Sequence, residues 1–328
     1  MSILRVKDHL IHLTMSNNTT IIYTKEKNLS VYIVAYYAFS LIIVGTIFNL
    51  LTFIVLCRKK FRDTNERPAL HYMRAMAIFD SLMLYGWNLD HYTFTVYGFE
   101  LIVYTIASCK YVGFFNYFTR QVSAWLRVFI SFDRFLSLKY HYRTWFGRSK
   151  NVLIIIGSII GVGTLFNLHI VIFACFYEPN GTMNVNSRLS MMYPYPIWTY
   201  VHLGISNFLP FVLMGIFNAN AIYHLMNLRR TSTIQNSRIP HRVISITLII
   251  TTCLFLIMTI PATVAFGFFG DVAGYTVLYT FDSMSYTYHI LSFATYIITW
   301  DEFRQEFIRI IIPNYRDHRV TPQNTRPT

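Results

Sequence analysis

Seven long apolar stretches dominate the 328-residue sequence, and polar connectors with Arg, Asn, Pro or Gly separate them. The stretches are Ile33–Cys57, Ala69–Thr93, Ile106–Leu138, Asn151–Cys175, Ile197–Met226, Val243–Phe269 and Val277–Trp300. A helix needs about 20 mainly apolar residues to cross a membrane. Charged residues make up 13% of the chain, whereas soluble domains carry about 25%. The sequence therefore predicts an all-α membrane protein, a seven-transmembrane-helix bundle.

Basic residues give the orientation of these helices. Most lysines and arginines follow the first, third, fifth and seventh stretches, and few lie in the other connectors. Cytoplasmic loops carry the excess of positive charge, so we expect a multi-pass plasma-membrane protein with an outside N-terminus and a cytoplasmic C-terminus. The glycosylation acceptors, which fall on the outer side, are Asn17, Asn18, Asn28 and Asn180. The net charge of +13 thus lies in membrane connectors and does not indicate nucleic acid.

The third stretch carries charges that an isolated membrane helix would not tolerate. Arg120, Arg127 and Arg134 are seven residues apart, close to two helical turns, and so share one face. A charged side chain at the membrane centre costs about 3 kcal/mol or more, so this face must look into the bundle. Asp80, in the second stretch, is a second intramembrane charge that requires a partner.

Several residues, in order on separate helices, resemble the rhodopsin-like (class A) G-protein-coupled receptors. Asp133-Arg134-Phe135 resembles the family's Asp-Arg-Tyr signature, and Cys109 lies 25 residues before Arg134, as in the family. Further similar positions are Asn49, Asp80, Pro210, Pro261, the segment Ser292–Tyr296 and Phe303. The chain is divergent, because the fourth helix lacks the usual tryptophan and Phe293 replaces a proline of the seventh.

The resemblance implies a division of the chain and a mechanism. Residues 1–32 would be an extracellular glycosylated segment, 33–300 the bundle, 301–312 a short amphipathic cytoplasmic eighth helix and 313–328 a tail. Arg134 would pair with Asp133 at rest and open toward a heterotrimeric G protein, with Tyr296 as a further switch residue. A disulfide between Cys109 and Cys175 is implied, the alternative being two unpaired cysteines.

The family also binds a sodium ion at the position of Asp80, with Ser123 and Ser292 as candidate ligands here and His289 as a possible contributor. Sodium is the one cofactor or metal we expect. Two alternatives follow for Arg127. It either pairs with Asp80, occupies the sodium site and makes the protein insensitive to sodium, or it stays unpaired and raises ligand-independent signalling, which Arg127→Leu would lower.

A ligand pocket is expected around Arg120, at the depth where the family binds ligands. The candidate pocket residues are Asn116, Tyr117, Arg120, Gln121, His202, Phe266, Asp282 and Tyr286. Amine receptors carry an aspartate where this chain has Asn116, so a peptide or small polar molecule is expected rather than a biogenic amine. The alternative is that Arg120 and Asp282 simply neutralise one another.

Other classes of membrane protein fit the residues less well. Retinal photoreceptors need a Schiff-base lysine in the seventh helix, and no lysine follows Lys150. A metal hydrolase needs clustered ligands, and the histidines are scattered. We therefore do not expect an enzyme. The expected partners are an extracellular ligand, a G protein and membrane lipid. A transporter or channel remains the alternative, although neither inverted repeats nor Gly/Pro-broken helices are evident.

Overall fold

The structure is a computed structural model of the chain. It describes residues 29–64, 67–102, 104–140, 145–173, 175–177, 183–185, 201, 203–231, 239–269 and 274–312. This part of the chain is mainly α-helical.

The helices of the described part are numbered here in chain order. They are α1 (Leu29–Leu56), α2 (Ala69–Tyr85), α3 (Trp87–Tyr97), α4 (Ile106–Lys139), α5 (Ser149–Phe173), α6 (Leu209–Thr231), α7 (Ile239–Phe268), α8 (Tyr275–Thr299) and α9 (Asp301–Ile311). Two 3₁₀ turns, Lys59–Phe61 and Trp145–Gly147, precede α2 and α5, and a π-helical turn, Gly204–Phe208, leads into α6. Strands β1 (Cys175–Tyr177) and β2 (Met183–Val185) form an antiparallel hairpin.

Three of the described segments are long and apolar enough to cross a membrane: α1, α5 and Gly204–Asn227, which includes most of α6. Their outward faces carry large apolar side chains, such as Ile47, Leu50 and Ile54 of α1, that remain exposed. Helices α2, α4 and α8 are more polar because they carry buried charged residues. Those charges concentrate on the faces where these helices meet.

The second apolar stretch was predicted as one helix, but the chain breaks at Gly86 into α2 and α3. Gly86 has a ψ angle of −92°, outside the helical range, and so ends α2. A Cβ atom at this position would lie 1.7 Å from the Oδ1 atom of Asn116. The missing side chain therefore lets α4 approach the break closely.

The main apolar core surrounds α2. Tyr72, Met73 and Met76 of α2 pack in one cluster with Leu126 and Ile130 of α4. Residues of α1, α5, α8 and α9 complete the same cluster. Helix α2 is thus enclosed by its neighbours, and this packing fixes the position of its buried polar residue Asp80.

The first turn of α4 is attached to the hairpin. Thr105 caps this helix, because its hydroxyl accepts a hydrogen bond from the backbone N–H of Ser108. Cys109 and Cys175 form a disulfide bond that joins α4 to β1. The predicted bridge is confirmed, and it fixes one end of α4.

Gly45 lets α1 pack closely against α2 and α8, and the substitution Gly45→Ala tests this packing. A Cβ at Gly45 would lie 2.3 Å from Leu84 and 2.8 Å from Ile290. Overpacking of this kind costs about 1–3 kcal/mol, so Gly45→Ala is expected to lower the melting temperature of the purified protein in detergent. The matched control is Gly157→Ala, because a Cβ there meets nothing within 4 Å. Equal melting temperatures for the two variants would contradict this packing.

Candidate functional site

A carboxylate and a guanidinium meet in the interior, where α2 and α4 cross. The Nη2 atom of Arg127 lies 2.7 Å from Oδ1 and 2.8 Å from Oδ2 of Asp80. Each side chain is only 1% exposed. Hydrogen bonds between ionised groups are stronger than neutral ones, so this ion pair is the strongest polar contact between the two helices.

Neighbouring side chains complete the hydrogen bonding of both ions. The Ser123 hydroxyl donates to Asp80 Oδ1 at 2.8 Å, and Nδ1 of His289 lies 2.8 Å from the same oxygen, where its N–H tautomer donates. Arg127 also donates from Nη1 to the backbone oxygen of Ser123 at 2.9 Å and from Nε to the Tyr288 hydroxyl at 3.2 Å. A buried ion pair is tolerated when its remaining polar atoms are satisfied in this way.

Two aromatic rings lie against the same guanidinium. The Cζ atom of Arg127 is 4.7 Å from the ring centre of Phe255 on α7 and 4.8 Å from that of Tyr288 on α8. A cation over an aromatic face is attracted by its negative potential. Helices α2, α4, α7 and α8 therefore all contact one charge. We call Asp80, Ser123, Arg127, Tyr288 and His289, with Phe255, the central cluster.

The pairing of Arg127 decides between the two alternatives drawn from the sequence. The guanidinium is paired with Asp80, so the alternative in which it stays unpaired is wrong. The raised ligand-independent signalling inferred from an unpaired guanidinium loses its premise. Removing one member of a buried ion pair leaves the other uncompensated and costs about 3–5 kcal/mol.

The same geometry bears on sodium. Arg127 contacts both oxygens of Asp80, and Ser123 and His289 also contact Oδ1. A sodium ion at this carboxylate would have to displace at least one of these donors. Ser292 is buried on α8, one turn beyond His289, and is not among the contacts of Asp80 in the described part of the chain.

Nearer the disulfide end of α4, Arg120 is held more loosely. Its Nη2 atom donates to the Tyr286 hydroxyl at 3.0 Å and lies 3.8 Å from Oδ1 of Asp282. The Arg120 side chain is 37% exposed, although Asp282 is only 7% exposed. An arginine has five N–H donors, and among the described residues only Tyr286 accepts a hydrogen bond from this guanidinium.

The other predicted pocket residues fall in different surroundings. Asn116 and Tyr117 are half-buried on α4, and Asn116 lies against Gly86. Gln121 is buried and accepts a hydrogen bond from Asn167 of α5 at 2.5 Å, so its amide is directed to α5. Phe266 belongs to α7, but its side chain lies outside the described part. His202 and the acceptors Asn17, Asn18, Asn28 and Asn180 lie outside the described residues.

At the opposite end of α4, Asp133 and Arg134 form an ion pair within the helix. Nε of Arg134 lies 3.2 Å from Oδ2 of Asp133, and Nη2 also donates to that oxygen. Both residues are buried. Tyr296 is 1% exposed and packs edge-on against Trp300 and Phe303. The predicted switch residues therefore lie in two contact groups, one on α4 and one where α8 meets α9.

Tyr288 and Asn167 were not predicted from the sequence, although the spacing of polar residues in α8 pointed to the position of Tyr288. Asp282, His289 and Tyr296 of α8 are seven residues apart, like Arg120, Arg127 and Arg134 of α4. Two helices with matching polar stripes are expected to face one another. Tyr288 adjoins the middle position of its stripe. The partner of Gln121 had no comparable signal, because nothing in the spacing of the polar residues of α5, such as Ser158, Thr164 and Asn167, distinguishes Asn167 from the others.

Comparison of the sequence with protein-family models and with curated proteins finds no match. The function must therefore be inferred from the residues of the chain and their geometry.

The central cluster predicts how the protein responds to sodium. Because protein donors occupy Asp80, the melting temperature of the wild type is expected to be the same in sodium and in N-methylglucamine at equal ionic strength. Arg127→Met frees the carboxylate, and sodium should then raise the melting temperature by about 2–4 °C for each kcal/mol of binding free energy. A sodium-dependent shift in the wild type would contradict this reading.

Proposed function

We propose that the chain is a receptor of the rhodopsin-like, G-protein-coupled type. In this proposal seven helices cross the membrane, namely α1, α2 with α3, α4, α5, α6, α7 and α8, while α9 is a short amphipathic helix on the cytoplasmic side. The receptor binds an extracellular ligand and activates a heterotrimeric G protein. No catalytic step on a substrate is part of the proposal.

The observation that carries the proposal is the series of three arginines on α4. Arg120 is partly exposed with a loose partner, Arg127 is fully engaged in the central cluster, and Arg134 pairs with its neighbour Asp133. One rigid helix thus connects a group able to bind a ligand with a switchable pair at its other end. The disulfide at Cys109 fixes the ligand end. A signalling receptor needs this connection across a membrane.

The central cluster supports a conformational role for α7. Phe255 contacts Arg127 through its ring face alone, whereas α2 contacts it through an ion pair. Cation–π contacts contribute about 0.5–2 kcal/mol, depending on solvent exposure, much less than the cost of leaving a buried charge unpaired. Among the contacts to Arg127, the one with α7 is therefore the least costly to break, and we propose that ligand binding displaces this helix.

Arg120 indicates the ligand class. The donors that no described residue uses favour an acceptor group such as a carboxylate, or the polar end of a peptide. A peptide or small polar molecule remains the proposed ligand, and the position of Asn116 does not favour a biogenic amine.

We also propose an orientation in the membrane. The basic connectors and the acceptors Asn17, Asn18, Asn28 and Asn180 support an outside N-terminus. Glycosidase treatment should increase the gel mobility of the wild type and leave the variant Asn17→Gln/Asn18→Gln/Asn28→Gln nearly unchanged. If glycosidase treatment does not change the gel mobility of the wild type, the outside position of the N-terminus is contradicted.

A channel or transporter is less compatible with the described contacts. A permeation path along the polar face of α4 would pass Arg127, whose guanidinium is enclosed by Phe255 and Tyr288 and bonded to Asp80. Opening such a path would require separating a buried ion pair. The receptor only requires α7 to move.

Coupling to a G protein is tested at Arg134. Cells that express the chain are screened with neuropeptides and small polar metabolites, using second-messenger output. For a ligand found in this way, Arg134→Ala is expected to lower the maximal response at least tenfold at equal surface density, because the residue released from Asp133 would contact the G protein.

The matched control is Lys139→Ala, which removes an exposed cation from the same end of α4. This variant should respond like the wild type. A normal response of Arg134→Ala at matched surface density would contradict the assigned role. Ion currents that follow the ligand in the absence of G protein would favour the channel alternative.

A further inference from the structure

The 3₁₀ turn after α1 presents a group of basic side chains at a fixed position. Arg58, Lys59, Lys60 and Arg62 are exposed, while Phe61 between them is completely buried. We call these four cations the basic turn. Because Phe61 anchors the middle of the turn, the four side chains are directed outward together.

Internal contacts hold the backbone of the basic turn in place. The Phe61 ring packs edge-on against Trp300, with 5.0 Å between ring centres. Arg74 of α2 donates from Nη2 to the backbone oxygens of Phe61 and Leu56, both at 2.8 Å. The turn is therefore preorganised, and a ligand bound there would not have to order the backbone.

The acidic residues of the adjacent helix α9 are already neutralised. Glu302 pairs with Arg67 at 2.5 Å, Asp301 pairs with Arg304, and Glu306 pairs with Arg309 at 2.5 Å. Arg58 approaches Glu306 only to 3.7 Å and is 47% exposed. Within the described part of the chain, Lys59, Lys60 and Arg62 form no ion pair. Asp63 directly follows Arg62 and offsets one of the four cations. The basic turn therefore still carries a local excess of positive charge.

The basic turn directly follows a lipid-facing helix surface. The last turns of α1 expose Leu50 and Ile54, and α1 is long and apolar enough to cross a membrane. The residues after its end thus lie at the depth of the lipid headgroups. Basic residues next to a membrane helix attract anionic lipids.

We propose that the basic turn binds the phosphorylated headgroup of an anionic membrane lipid. The close spacing of four cations fits a headgroup with several phosphates better than phosphatidylserine, which carries one net negative charge. This inference goes beyond the proposed receptor function and does not depend on it, because it requires only that α1 crosses a membrane.

The test is native mass spectrometry of the purified chain with added lipids. The wild type is expected to retain phosphatidylinositol bisphosphate in preference to phosphatidylserine or phosphatidylcholine. In Lys59→Gln/Lys60→Gln, affinity should fall by about fivefold for each cation removed. The matched control is Arg148→Gln/Lys150→Gln, which removes the same charge from exposed positions around the start of α5. Because its two cations lie outside the basic turn, the control should lose clearly less affinity than the turn variant.

Three results would overturn the proposal. The first is equal binding by the turn variant and the control, which would indicate attraction to the overall charge alone. The second is complete displacement of the lipid by an equal concentration of soluble inositol trisphosphate, which would assign the site to a free phosphate compound. The third is retention of phosphatidylcholine as strong as that of phosphatidylinositol bisphosphate, which would show that the charge of the headgroup plays no part. Equal melting temperatures of wild type and variants would verify that all are folded.

Discussion

The ion pair between Asp80 and Arg127 is the contact on which the other helix positions depend. In an apolar interior neither charge is stable alone, so α2 and α4 are constrained to bring the two together. Tyr288 and His289 of α8 and Phe255 of α7 then satisfy the remaining donors and the faces of the guanidinium. Because burying these charges is unfavourable unless they meet, only one arrangement of the four helices is stable. Purely apolar surfaces would define that arrangement less sharply.

The three arginines of α4 differ because their surroundings differ, not because of their own chemistry. Arg127 is saturated and therefore structural at rest. Arg120 has one hydrogen bond among the described residues and is 37% exposed, while Arg134 pairs with the carboxylate of its own neighbour. In the proposed receptor, the three arginines along this one helix have three roles. Arg120 binds the ligand, Arg127 gives fixed support, and Arg134 is released from Asp133.

Much of this arrangement could be predicted from residue spacing. The seven-residue interval of Arg120, Arg127 and Arg134 placed them on one inward face, and Asp80 was the natural partner for Arg127. The break at Gly86 was missed because a continuous apolar run carries no sign of the close approach of Asn116, which leaves no room for a Cβ atom there. The direction of Gln121 toward Asn167 was also unpredictable, since it depends on the rotation of α5 against α4. Periodicity within one helix gives a face, but only packing identifies the partner across it.

The most direct measurement of the central claim is a double-mutant cycle between Asp80 and Arg127. Asp80→Asn, Arg127→Met and the double variant are unfolded in detergent, and the free energies of unfolding are compared with the wild type. Each single substitution should cost about 3–5 kcal/mol. The double variant should cost much less than the sum, because no unpaired charge remains. Effects that add within about 0.5 kcal/mol would contradict the claim that this ion pair fixes the helices.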